Sequence, residues 1–281
     1  MTREIDSKQI TDAVKKLAVE VNTKLPEDMV SALNKALKNE ESPVGRDLLR
    51  DLIKNAEIAR KENLPICQDT GFAIVFVELG QDVNIKGENL VGSINEGISR
   101  GYKEGYLRRS IVKDPFKRDN TGDNTPADII TEIVTGDKIK ITLMAKGGGC
   151  ENVSALKMFK PNDPFEEIEK FVVEKITEAG GNPCPPIIVG LGIGGTADKA
   201  MVLAKKALLR KVGAHNSNSD IAKKEKDLFN KVNATGIGAG GLGGRVTALA
   251  ANIETWPCHI ASLPVALAVD CYAHRVGSTI L

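Results

Sequence analysis

Glycine gathers at three places in this chain, Gly147 to Gly149, Gly190 to Gly195 and Gly236 to Gly244. Each lies at a join between segments that read as regular structure. Such clusters mark points where a backbone turns tightly or comes close to another group. They predict elements joined by loops built for close approach.

The segments between them have clear periods. Ile10, Val14, Leu17 and Val21 repeat at helical spacing, Pro26 opens a second helix through Met29, Leu33 and Leu37, and a third runs from Val44 to about Arg60 until Pro65 stops it. Phe72 to Val77 is a continuous apolar run and reads as a strand buried on both faces. Asn89 to about Glu104 has helical spacing, Lys113 to Pro126 is a polar loop, and Lys138 to Met144 is a strand. Beyond these come a short strand at Pro186 to Val189, helices at Thr196 to Leu209 and Asp220 to Val232, and strands near Ile253 and Val265. No internal repeat or low-complexity segment interrupts the pattern. The expected fold is α+β: a helical N-terminal lead over about residues 1–62, then a mixed α/β part with glycine-rich active-site loops, all within one domain spanning 1–281.

With 281 residues and 42% hydrophobic content the chain can bury a sizeable core. Its 38 basic and 37 acidic residues are interspersed, which leaves no basic stripe for nucleic acid. Met1 through Lys16 lacks the basic start and apolar centre of a signal peptide, and no apolar run is long enough to span a bilayer. A cytoplasmic protein with no membrane or nucleic-acid partner is expected. In that compartment the five cysteines are better read as thiols or metal ligands than as disulfides.

Cys67, Cys184 and Cys271 all fall in predicted loops, and none belongs to a close C-x-x-C pair, which argues against zinc ribbons and ferredoxins. A cysteine is often just a small buried hydrophobe. Prolines on both sides of Cys184, and the polar Gln68 and Asp69 after Cys67, speak against that here.

Four motifs in fixed order carry a family resemblance: Cys67-Gln68-Asp69-Thr70-Gly71, Lys146-Gly147-Gly148-Gly149, Cys184-Pro185-Pro186, and Gly236-Ile237-Gly238 with Gly241-Leu242-Gly243-Gly244. From about Asn63 to the carboxyl terminus the chain resembles class I fumarate hydratases. Its helical lead resembles the α subunit of the two-subunit enzymes and of the related tartrate dehydratases. The resemblance implies a 4Fe-4S cluster held by Cys67, Cys184 and Cys271, with one iron lacking a protein ligand and acting as a Lewis acid. It makes Asp69 and His259 the acid-base pair, and Gln68, Asp69, Arg108 and Gly149 the substrate contacts. Cys150 and Cys258 match positions where relatives vary, often with serine and threonine, and are read as non-ligands.

Without the resemblance, Asp69 reads as a turn or cap and His259 as a core histidine. His215 reads as solvated, and His274 receives no role. One arginine cannot clamp a dicarboxylate at both ends, so the resemblance also implies a β subunit carrying further cationic residues, in an α2β2-type oligomer. The implied reaction is reversible hydration of fumarate to L-malate, with L-tartrate or a mesaconate-type dicarboxylate as the alternative. Two readings from other classes remain. Gly190, Gly192 and Gly195 fit the G-x-G-x-x-G of a nicotinamide-dependent oxidoreductase, although no strand with a terminal acid follows the next helix. The chain could also be a non-catalytic partner subunit.

Overall fold

The computed structural model describes residues 2–281; Met1, the first residue of the expected lead, lies outside it. The chain begins with a short strand, β1 (Arg3–Asp6), and the helices α1 (Ser7–Thr23), α2 (Glu27–Asn39) and α3 (Pro43–Glu62). There follow β2 (Phe72–Gly80), β3 (Val83–Lys86), α4 (Leu90–Glu104), β4 (Asp128–Val134), β5 (Ile139–Lys146), the single turn α5 (Gly148–Glu151) and β6 (Ala155–Phe159). The remainder is α6 (Phe165–Ala179), β7 (Ile187–Gly194), α7 (Ala197–Leu208), α8 (Ser219–Asn233), β8 (Ala248–Trp256), β9 (Leu263–Asp270) and β10 (Val276–Ile280). The expected α+β class and helical lead are what the chain adopts.

Two compact units form. Among the described residues the first comprises 2–26, Ala56–Gly148 and Arg275–Leu281, the second Glu27–Asn55 and Gly149–His274. The first unit holds a four-stranded sheet in the order β10-β5-β2-β4, with β2 parallel to β4 and antiparallel to β5. β2 is buried from Ala73 to Val77, as its unbroken apolar run predicts. Its core is completed by Ile10, Val14, Leu17 and Val21 of α1 and by Ile94, Ile98 and Tyr102 of α4. Each large apolar side chain removed from water there contributes about 1.5–3 kcal/mol. Local signals fix the helix starts: Asp6 and Gln9 form a capping box on α1, and the Asn89 side chain accepts the Gly92 N–H at 2.8 Å on α4.

The second unit holds the sheet β6-β9-β7-β8, with β7 parallel to β8 and antiparallel to β9. The short strand expected at Pro186 to Val189 runs on to Gly194, so Gly190 and Gly192 are strand residues, not a join. A side chain at Gly192 would put its Cβ 2.0 Å from the Ala200 carbonyl oxygen, so glycine is required for α7 to lie on the sheet. The pattern that resembled a phosphate-binding fingerprint is a packing device. No strand follows α7: the chain turns through a loop into α8. The strands β1, β3, β4, β6 and β10 and the helix α6 were not apparent from periodicity, four of the five strands being only four or five residues long. Among the described residues no helix is long and apolar enough to cross a membrane.

Candidate active site

In the first unit, Pro65 to Gly71 joins α3 to β2 and carries Cys67, Gln68 and Asp69. Its backbone is held by buried polar side chains. Arg275, 1% exposed, donates to the Asp69 carbonyl. The Tyr102 hydroxyl, also 1% exposed, donates to the Thr70 carbonyl at 2.7 Å and the Gly71 carbonyl at 3.0 Å. Asn124 donates to the Gly71 carbonyl at 3.2 Å, and the Ile66 N–H donates to the Asn22 carbonyl at 2.9 Å. Three consecutive carbonyls are thus gripped from inside the unit. Burial pushes the Tyr102 hydroxyl pKa up to about 12, against the pull of the Arg275 charge, so it stays a donor across the physiological range.

The Asp69 carboxylate is aimed by two backbone donors, Gly71 N–H at 3.0 Å on Oδ1 and Gly148 N–H at 2.9 Å on Oδ2. Gly71 has φ +80°, and a Cβ there would lie 2.7 Å from the Ala145 carbonyl carbon, so this turn admits glycine alone. Thr70 Oγ1 donates to the Arg108 carbonyl at 2.9 Å, which ties the segment after α4 to the same loop while the Arg108 side chain remains exposed. Cys67 is half-buried with its Sγ 3.5 Å from the Gln68 amide oxygen, and Gln68 is exposed. Cys67, Gln68, Asp69 and Arg108 are therefore gathered in this unit.

In the second unit, the chain before Cys184 ends a tight turn: Cys184 N–H donates to the Gly181 carbonyl at 3.0 Å, and Cys184 itself has φ +56°. The Pro185 carbonyl accepts from Gly240 N–H at 2.8 Å, which anchors the Cys184 loop to the third glycine cluster. Cys271 follows directly on β9. It lies in a group with Cys150 and Asp270, the three donor atoms all within 4.8 Å of one another and all three residues buried. The Cys150 thiol donates to the Pro183 carbonyl at 3.4 Å, one residue before Cys184. Cys150, set aside on sequence grounds, thus sits at the meeting point of the two loops that carry Cys184 and Cys271. This donor set, rich in sulfur and buried at Cys271, suits a soft metal centre. No disulfide joins any of the five cysteines.

His274 is also accounted for: its Nδ1 lies 2.7 Å from Asp270 Oδ2, both fully enclosed. His259 is different. It lies in an exposed segment, its Nδ1 accepts the Ala261 N–H at 3.1 Å, and the neutral ring therefore carries its proton on Nε2. It lines a cavity of about 620 Å³ with Lys199, Trp256, Cys258 and Ser262. Gly149 is the second residue of α5, the turn that delivers Cys150, and is exposed. His215 is exposed, as expected.

The family model described as Fumarate hydratase (Fumerase) matches residues 11–279. The chain belongs to the fumarate hydratase family. It is accordingly a hydro-lyase. It is 45% identical over 273 residues to a protein of Methanocaldococcus jannaschii provisionally named L(+)-tartrate dehydratase subunit alpha, covering 95% of each chain. It is 31% identical over 280 residues to the L(+)-tartrate dehydratase subunit alpha of Escherichia coli K12, covering 97% of this chain and 91% of that protein. The same-named protein of Escherichia coli UTI89 is 32% identical over 277 residues, with 96% and 90% covered. Within this fumarate hydratase family member, sequence reasoning missed Arg275, Tyr102, Asn22 and Asn124. Each holds backbone rather than presenting a recognisable motif, so only the positive φ region favoured by Asn at Asn124 left a trace of its own.

Proposed function

We propose that this chain is the iron-sulfur-bearing α subunit of a two-subunit dicarboxylate hydro-lyase acting on L-tartrate. The observation that carries the substrate is its likeness, over nine-tenths or more of each chain, to proteins named L(+)-tartrate dehydratase subunit alpha. Fumarate, the substrate the resemblance implied first, becomes the second reading, favoured by the family's own description. Cys67, Cys184 and Cys271 are the thiolates that would hold a 4Fe-4S cluster, whose open iron supplies Lewis-acid polarisation of a hydroxyl and carboxylate.

The chain's own residues supply orientation and proton transfer. The exposed Arg108 guanidinium pairs with a substrate carboxylate in bidentate fashion, and the Gln68 amide and Gly149 N–H add directional hydrogen bonds. Asp69, its carboxylate fixed by two backbone N–H groups, and His259, with its proton on Nε2, handle the proton of the departing hydroxyl. Loss of water from tartrate gives an enol that becomes oxaloacetate; the same step on L-malate gives fumarate. The remaining cationic clamps belong to a β subunit, in an α2β2-type assembly in the cytoplasm, where thiols stay reduced.

The test is anaerobic co-expression with a candidate β subunit, followed by assay of L-tartrate, fumarate and mesaconate side by side. Oxaloacetate formation from tartrate at the highest kcat/KM supports the proposal. Preference for fumarate would reverse the ranking, and a chain that takes up no iron on reconstitution would overturn the cluster.

A further inference from the structure

The buried group at the end of β9 contains two donors, Cys150 and Asp270, to which the hydro-lyase reading gives no role, beside Cys271, to which it does. Cys150 Sγ, Cys271 Sγ and an Asp270 carboxylate oxygen all lie within 4.8 Å of one another. A tetrahedral zinc-type ion with bonds near 2.3 Å asks its sulfur ligands to sit roughly 3.8 Å apart. Small side-chain rotations close that difference. Two sulfurs and one carboxylate form a borderline-soft donor set that selects such an ion over magnesium or calcium.

The surroundings already orient these donors. Asp270 Oδ2 is held by His274 Nδ1 at 2.7 Å, and Oδ1 accepts the Cys271 N–H at 3.1 Å. A ligating carboxylate steadied by outer hydrogen bonds is the arrangement metal sites favour. Cys150 is steadied in turn by the Pro183 carbonyl. Asp270 is 0% exposed, and a bound cation would join His274 in offsetting its buried charge.

We propose that Cys150, Asp270 and Cys271 form a mononuclear site for a thiophilic divalent cation of the Zn²⁺ type, and that its occupancy competes with cluster assembly for Cys271. The competition rests on the cluster reading of the proposed function; the cation site does not. Because Cys271 cannot serve both centres, zinc bound to the cluster-free chain holds it inactive until the ion is removed.

The experiment uses the full chain, purified free of iron and kept reduced, with Co²⁺ as an optical probe. Titration produces a thiolate-to-cobalt charge-transfer band saturating at one ion per chain. Cys150→Ser and Asp270→Asn each weaken binding by at least the roughly 10–100-fold that loss of an outer-shell partner costs. Cys67→Ser and Cys184→Ser leave the band intact, and Cys150→Ala with circular dichroism guards against a folding defect. No band, a band that survives Cys150→Ser, or one lost with Cys67 or Cys184 overturns the site. For the competition, wild-type chain preloaded with Zn²⁺ takes up no iron on reconstitution, whereas preloaded Cys150→Ser does. Equal uptake by both overturns the competition. If the zinc-free wild type also fails to take up iron, the cluster reading fails while the cobalt result stands.

Discussion

The loop carrying Asp69 and the segment carrying His259 are built by opposite means. Around Asp69, three consecutive carbonyls are held by Arg275, Tyr102 and Asn124, all buried. Around His259, the chain is exposed from Thr255 to Ala261; Gly195 N–H donates to the Pro257 carbonyl at 3.2 Å, and from Cys258 on the turn is closed by short-range bonds, Ala261 N–H to His259 Nδ1, Ser262 N–H to the His259 carbonyl and the Cys258 thiol to the Ser262 carbonyl. The first geometry is preset by the fold. The second is set by a local turn and is open to adjustment by whatever covers it.

Substitutions break this contrast in order of effect. His259→Asn is expected to lower kcat by about 10²–10⁴-fold, while the melting temperature of the chain stays unchanged, because an exposed ring with one local bond carries little stability. A drop in melting temperature as well would place His259 among the held residues. Arg275→Met strikes the held loop: it leaves the Asp69 carbonyl without its charged donor and should cost about 2–3 kcal/mol by urea denaturation. Arg275→Lys should recover part of that loss together with part of kcat.

The third glycine cluster shows that the contrast belongs to the loops and not to the units. The Glu40 carboxylate, 3% exposed, accepts the N–H groups of Glu41, Ser42, Arg245 and Val246 at 2.9–3.0 Å. Burial alone would raise its pKa, but these backbone donors hold it below the ordinary carboxylate value. The stabilisation it brings is full above the unfolded-state pKa near 4.3 and is lost as pH falls through the lower folded value. Glu40→Gln should therefore cost about 1.5–3 kcal/mol at neutral pH, and the gap to wild type should narrow in acid. Tyr102→Phe should cost about 1–2 kcal/mol. Its pH signature is opposite in sign: the folded pKa is raised, so its contribution is whole below the unfolded value near 10 and is lost as pH rises through about 12. The smallest effect is Ile260→Ser, 91% exposed, expected to stay within about 0.5 kcal/mol in the isolated chain.

Much of this was legible in the sequence because it is local. The helical stripe of α1, the helical spacing from Asn89 to about Glu104 and the apolar run of β2 each lie within a window of a few residues. The loop positions of Cys67, Cys184 and Cys271 were legible through their proline and polar neighbours, and the family through its four ordered motifs. What escaped was long-range. Arg275 reaches Asp69 across 206 positions and Glu40 reaches Val246 across 206, and no periodicity records such a partnership. Gly192 misled for the same reason: its need for glycine comes from the α7 backbone lying over it, and a strand alone does not reveal what covers its face.

The sequence by itself determined most of the helices, the central strands β2 and β5 and the ordered motifs through which the resemblance gave the candidate ligands and the family, because backbone propensity, side-chain period and motif order are properties of neighbouring residues. Tertiary structure alone decided which side chains hold the Asp69 loop, that Cys150 lies beside Cys271, and that His274 is bound to Asp270. Those facts depend on burial and on hydrogen bonds between distant segments, and a buried polar group takes whichever partner the folded chain brings to it.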